Sequence, residues 1–212
     1  MCIRDRAVED NKKDAAAKLR EAAKGIPDIE VVELKTKYPQ GAERQLIFAV
    51  TGRQINSSML PADVGCVVNN CDTIHAIYEA VHFGRPVMKK VMTITGNAIK
   101  EPQNLRVRTG TNFRELIEEA GGFTSEPEKI IAGGPMMGRA VSTLDATATK
   151  GLSGLVVVPS DMAERKPSGP CIRCARCVSA CPMGLEPYLL MLQAENRVWD
   201  DMSAHGVMNC LE

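Results

Sequence analysis

The sequence predicts a multidomain protein of α/β and α+β character that ends in a small helical, cysteine-ligated portion. Three observations predict it. Helix-type and strand-type runs alternate over residues 14–83. A strand, strand, helix, strand order follows over residues 86–158. Four cysteines then crowd into residues 171–181, after a polar stretch containing Pro167 and Gly169.

Taken in order, Asp14 to Lys24 is rich in strong helix formers, and Gly25 with Pro27 supplies the stop. Ile29 to Leu34 has the β-branched, partly alternating character of a strand. A turn at Tyr38-Pro39-Gln40-Gly41 leads to a short helix over Glu43 to Val50, then a loop through Leu60 to Gly65. The next helix spans Asp72 to Phe83: Asp72 or Thr73 can cap it, Ile74, Ile77, Tyr78 and Val81 fall at helical spacing, and Gly84 and Pro86 end it. Pro86 to Thr95 and Asn104 to Arg108 alternate like strands, and Asn112 to Ala120 is an amphipathic helix closed by Gly121-Gly122. Lys129 to Ala132 and Leu155 to Val158 are short strands, so the order matches a compact β-grasp. Gly133 to Gly138 lacks the spacing of a nucleotide loop and reads as a sharp turn, with Met136 and Met137 filling gaps between domains. Ser160 to Gly169 reads as a linker, and helices are expected from Cys177 and from near Glu186, where Tyr188, Leu189, Met191 and Leu192 supply apolar contacts. The expected divisions are 7–85, 86–158, a linker at 159–170, and 171–212.

The 212 residues carry no formal net charge, with 44% hydrophobic and 25% charged residues. That composition suits a globular protein and gives no hint of nucleic-acid affinity. No run approaches the ~18 consecutive apolar residues of a membrane span, so any membrane association is expected to go through a partner. No signal-peptide pattern opens the chain, and eight cysteines, four of them at cluster spacing, suit a reducing compartment. Met1 to Arg6 fits no following element and is set aside from the fold.

The run from Cys171 to Pro182 has the C-x2-C-x2-C-x3-C-P spacing of a ferredoxin-type [4Fe–4S] site. Three thiolates three residues apart can converge on one cubane if the loop wraps it. A zinc ion also takes four sulfurs, but its ligands usually come as two separated pairs. In two-cluster ferredoxins the fourth cysteine of each run ligates the cluster of the other run. Cys171, Cys174 and Cys177 are therefore expected on one cluster, and Cys181 on a second together with Cys210, which stands where another run would begin. Cys210 as an ordinary terminal cysteine is the alternative. Arg173 and Arg176, between the ligands, read either as charges that raise the cluster potential or dock a partner, or as a solvated face.

Together these motifs resemble the C subunit of the Rnf (Rsx) electron transport complex. The resemblance runs from about residue 7 to 212 and rests on Lys37 to Glu43, Leu60 to Gly65, Thr93 to Gly96, Ala132 to Gly138 and the cysteine run. It implies a partial FMN- and NADH-binding domain like the complex I flavoprotein over 7–85, a soluble ligand-binding β-grasp (SLBB-like) domain over 86–158, and a partial ferredoxin-like domain over 171–212. It also implies a peripheral subunit on the cytoplasmic side of the bacterial inner membrane. Its partners would be the other subunits of an ion-moving complex, with ferredoxin as a further candidate.

The relatives of the first domain open their flavin pocket with a glycine-rich phosphate loop. No such loop occurs here, and it is expected upstream of residue 7, so the chain reads as truncated at both ends and inactive with NADH by itself. The later half of the pocket does match. Gly41 and Glu43 align with a Gly-Glu segment near the nicotinamide nucleotide, and Asn69, Asn70 and Thr73 with an Asn-Asn-x-Glu-Thr flavin segment, whose amides suit ribityl and phosphate groups. Without the resemblance, Asn69, Asn70 and Thr73 would be a turn and helix cap, and Glu43 a helix-start carboxylate. Cys66 and Cys71 read as small buried hydrophobes, and His75, His82 and His205 as helix surface or core.

Three functions compete. The first is electron transfer, with FMN taking a hydride from NADH and [4Fe–4S] clusters relaying single electrons; no Ser/His/Asp or paired-carboxylate constellation argues for hydrolysis. The second is a complex I- or hydrogenase-type flavoprotein with one cluster. The third is a non-catalytic Fe–S scaffold.

Overall fold

In the computed structural model, residues 5–210 are described apart from 57, 165, 166 and 168. They form two compact units, one of the residues up to Asn69 together with those from Cys171, the other Asn70–Pro170.

The first unit begins with a crossover. β1 (Arg6–Glu9) leads into α1 (Lys13–Ala23), which returns the chain so that β2 (Val31–Leu34) lies parallel to β1, Arg6 opposite Val31 and Glu9 opposite Leu34. Parallel neighbours need such a connection, since a tight turn can only reverse the chain. Arg6 is thus the first residue of a strand, contrary to the expectation that the first six residues belong to no element. Two apolar residues in a four-residue strand are too few for alternation to show. Ala16 turns inward from α1. α2 (Glu43–Thr51) follows, with Ile47 buried and Gly52 in the left-handed region (φ 71°) where the helix stops. The loop expected at Leu60 to Gly65 contains a single 3₁₀ turn, Pro61–Val64, whose Asp63 carboxylate accepts the Leu60 N–H at 2.8 Å.

The second unit opens with α3 (Cys71–Phe83), capped by Asn70 and not by Asp72 or Thr73: the Asn70 side chain accepts the Asp72 N–H at 2.9 Å. Asparagine caps as well as aspartate, so the helix starts one residue early. β3 (Lys89–Thr95) and β4 (Gln103–Arg108) form an antiparallel hairpin, α4 (Phe113–Glu119) follows with its Asn112 cap, and β5 (Pro127–Ala132), β6 (Arg139–Val141) and β7 (Gly154–Pro159) complete a five-stranded sheet. Its order is β4-β3-β7-β5-β6, with β3 parallel to β7 and every other pair antiparallel. α4 buries Phe113, Leu116 and Ile117 in a cluster with Met92, Ile94, Val107, Leu155 and Val157. Burying each large side chain contributes about 1.5–3 kcal/mol. Gly96 (φ 124°) lets its loop lie on β7, because a Cβ there would run into the Val157 carbonyl. The Gly133 to Gly138 turn joins β5 to β6, but Met136 and Met137 are 62% and 67% exposed and fill no gap. The stretch expected as linker begins with a short helix, α5 (Ser160–Ala163).

The chain then returns to the first unit as α6 (Arg176–Ala180), α7 (Pro187–Glu195) and α8 (Trp199–Ala204). Pro187 suits the first turn of α7, where its missing N–H has no acceptor to lose. Tyr188, Leu189 and Leu192 are half-buried and Met191 is exposed. Among the described residues no helix is long and apolar enough to cross a membrane.

Candidate functional site

Open parallel sheets bind ligands beyond the carboxyl ends of their strands. At that end of the β1–β2 pair, Asp10 follows β1 and Thr36 follows β2. The Thr36 N–H and Oγ1–H both donate to Asp10 Oδ1, at 3.0 and 2.7 Å. These bonds hold the Asp10 carboxyl below its usual range, the Thr36 hydroxyl contributing most. Sequence reading missed the pair, because recognising it requires β1.

Beyond Thr36 the chain tightens. The Tyr38–Pro39 peptide is cis, the Gln40 N–H reaches the Lys37 carbonyl at 2.7 Å, and the Ala42 N–H reaches the Pro39 carbonyl at 2.8 Å. Gly41 is exposed, with nothing within 4 Å of where a Cβ would stand, so a ligand could approach its backbone closely. Glu43, also exposed, is the first residue of α2.

Asn69, Asn70 and Thr73 are exposed at the start of α3. Asn70 Oδ1 is taken by the cap, which leaves its amide N–H groups as donors. Asn69 closes the first unit, while Asn70 and Thr73 belong to the second. Cys71 is exposed and Cys66 half-buried, with Arg53 Nη1 at 3.6 Å from Cys66 Sγ. Neither is the fully buried hydrophobe expected: α3 buries none of its residues, and Cys66 sits in the loop after the Pro61–Val64 turn.

In the cysteine run, Cys171, Cys174 and Cys177 are exposed and Cys181 is half-buried. Arg173 and Ala175 adopt left-handed conformations (φ 54° and 59°), each costing an L-residue about 1–2 kcal/mol. Backbone strain of this kind clusters at ligand clamps and other functional sites. Ala175 ends the loop and starts α6, which carries Cys177, and Cys181 terminates that helix. The Leu185 N–H points at Cys181 Sγ at 3.4 Å, the kind of bond that stabilises a cluster-bound thiolate. Cys210 is exposed and follows the 3₁₀ turn Val207–Asn209. Among the described residues, no three His, Cys, Asp or Glu side chains converge as a metal-holding group. The donor types and the Leu185 N–H fit an iron–sulfur cluster.

The nucleotide-side and cysteine-run regions meet inside the first unit, where Gln45 Nε2 lies 3.3 Å from Met183 Sδ. Gln45 is two residues past Glu43, and Met183 two past Cys181. α2 therefore sits against the segment that leaves the cysteine run.

Residues 6–79 match the sequence model of the Nuo51 FMN-binding domain, and residues 91–140 that of the SLBB domain. Over 92% of its length the chain is 48% identical to the C subunit of the proton-translocating ferredoxin:NAD(+) oxidoreductase complex of Clostridium ljungdahlii, covering 42% of that protein. It is 43% identical over 95% of its length to the Na(+)-translocating counterpart of Acetobacterium woodii, covering 46% of it. The C subunit of the ion-translocating oxidoreductase complex of Rhodobacter capsulatus is 37% identical over 87% of the chain, which covers 36% of it. The chain thus spans less than half the length of these relatives.

Proposed function

From the membership of this chain in the family of C subunits of ion-translocating oxidoreductase complexes, we propose that it is an electron-transfer subunit relaying electrons between NADH and ferredoxin or partner subunits, coupled to ion transport. It would sit peripherally on the cytoplasmic side of the membrane and reach it through the other subunits. When bound, FMN exchanges hydride for single electrons and [4Fe–4S] clusters pass the electrons on.

The chain's own residues would bind and orient these groups. Gly41 leaves room for a nucleotide to approach the backbone, and Glu43 at the start of α2 can accept hydrogen bonds from sugar hydroxyls. Asn69 and Asn70 offer amide donors to ribityl and phosphate oxygens, and Thr73 a hydroxyl. Cys171, Cys174 and Cys177 would supply three thiolates to one cluster, and Cys181 with Cys210 two to another. The nucleotide and cluster portions are assigned to 7–85 and 171–212, with the SLBB portion at 86–158 between them.

Within the first unit the Gln45–Met183 contact supports this reading, because it packs α2, which begins with Glu43, beside the exit of the cysteine run. One-electron relay needs such closeness. The test is EPR of the dithionite-reduced protein, produced at the full length of its relatives so that it carries a second cysteine run, after anaerobic iron–sulfur reconstitution. Two interacting [4Fe–4S]⁺ centres are expected from the relay, one isolated centre would favour the single-cluster flavoprotein, and a protein that takes up no iron would overturn the proposal.

A further inference from the structure

The outward face of β3 and β4 carries charge that its own unit leaves unbalanced. Across this hairpin Lys89 stands opposite Arg108, and Val91 opposite Arg106. Met92, Ile94 and Val107 are buried beneath α4, so the alternation of a strand sends Lys89, Val91, Arg106 and Arg108 to the other face. All four are exposed. Like charges directly opposite each other on neighbouring strands destabilise a sheet. No carboxylate pairs with Lys89, Arg106 or Arg108 among the described residues. Lys90, on the opposite face, does have partners: Asp72 at 3.7 Å and the Lys150 carbonyl at 2.9 Å.

Charges on an edge strand also discourage aggregation, and β4 is an edge. That role accounts for Arg106 and Arg108. It does not call for Lys89 on the interior strand β3, set directly against Arg108.

We infer that this face docks an acidic surface of another folded protein. With zero net charge over the chain, the cations are a local feature. An exposed valine flanked by arginines has the composition of a protein interface, and guanidinium groups take carboxylates two bonds at a time. Basic clusters that hold anionic lipid typically carry about four to eight Lys and Arg, more than this face presents. It also lacks the aromatic side chains on which single-stranded nucleic acid stacks. The inference deepens the reading of the chain as a subunit of a larger assembly, and rests on it.

The test is zero-length carbodiimide cross-linking of the intact membrane complex containing the chain, followed by mass spectrometry of peptides bearing Lys89. The expected result is Lys89 joined to an Asp or Glu of a different polypeptide. Its yield should fall about tenfold in the R106Q/R108Q variant, and comparably at about 0.5 M salt, where exposed charges are screened. No cross-link at Lys89, or links only to carboxylates of this same chain, would overturn the inference. So would co-sedimentation of the purified chain with phosphatidylserine vesicles that is lost in the same variant, since the face would then be a lipid site. Iron and flavin measured on the same complex keep the two readings apart: a Lys89 cross-link in a complex holding neither cofactor would sink the electron relay and leave the docking face standing.

Discussion

The two units are stabilised in different ways. Residues 70–170 close a continuous core in which Met92, Ile94, Leu155 and Val157 are fully buried against α4. In the unit that holds β1, β2, α2 and the cysteine run, the buried hydrophobic residues among those described are Ala16, Ile47 and Leu185. Hydrophobic burial is the dominant favourable term in folding, so the second unit has the means to hold itself together. The first has far less apolar burial and more groups suited to ligands, so bound cofactors are expected to supply much of its stability.

Removing the cofactors should have the largest effect. Trp199, the chain's one tryptophan, lies in α8 of the first unit. Stripping iron from reconstituted protein is expected to abolish the cooperative transition read by its fluorescence, while hydrogen exchange at Leu155 and Val157 remains protected. Equal loss of protection in both units would break the contrast. Next in size, I94A should cost about 2–5 kcal/mol in the denaturation of the second unit and leave the Trp199 transition in place.

Much of this is legible in the sequence, for uneven reasons. α1 to α4 carry helix formers and glycine stops within one window, α3 and α4 add asparagine caps, and the cysteine spacing is itself a chemical specification. β6, with three residues, has no period to detect. The Asp10–Thr36, Gln45–Met183 and Leu185–Cys181 contacts depend on how distant or sharply turned segments meet, which no local pattern encodes. Apolar neighbours suggest burial for Cys71, yet Ile74 and Tyr78, which share its side of α3, are themselves exposed.

Smaller effects sharpen the contrast. N112A removes the bond from the Arg114 N–H to the Asn112 side chain at 2.9 Å and should cost the second unit about 1 kcal/mol, measured by urea denaturation. The smallest expected effect is acidic. Because Asp10 titrates below its usual range when folded, its contribution is present above the unfolded carboxyl pKa and is lost as pH falls through the lower, folded value. D10N should flatten that acid dependence of the Trp199 transition and leave the second unit's pH profile unchanged; identical profiles before and after substitution would remove Asp10 as a brace.

The left-handed backbone at Ala175 also matters to anyone redesigning this chain. Glycine is ordinarily a poor choice inside a helix, yet at this flanking position A175G should strengthen the protein, because it relieves the conformational cost of the methyl group and suits the helix-start position Ala175 occupies. Engineering a sturdier cysteine-rich segment would therefore begin by taking a methyl group away.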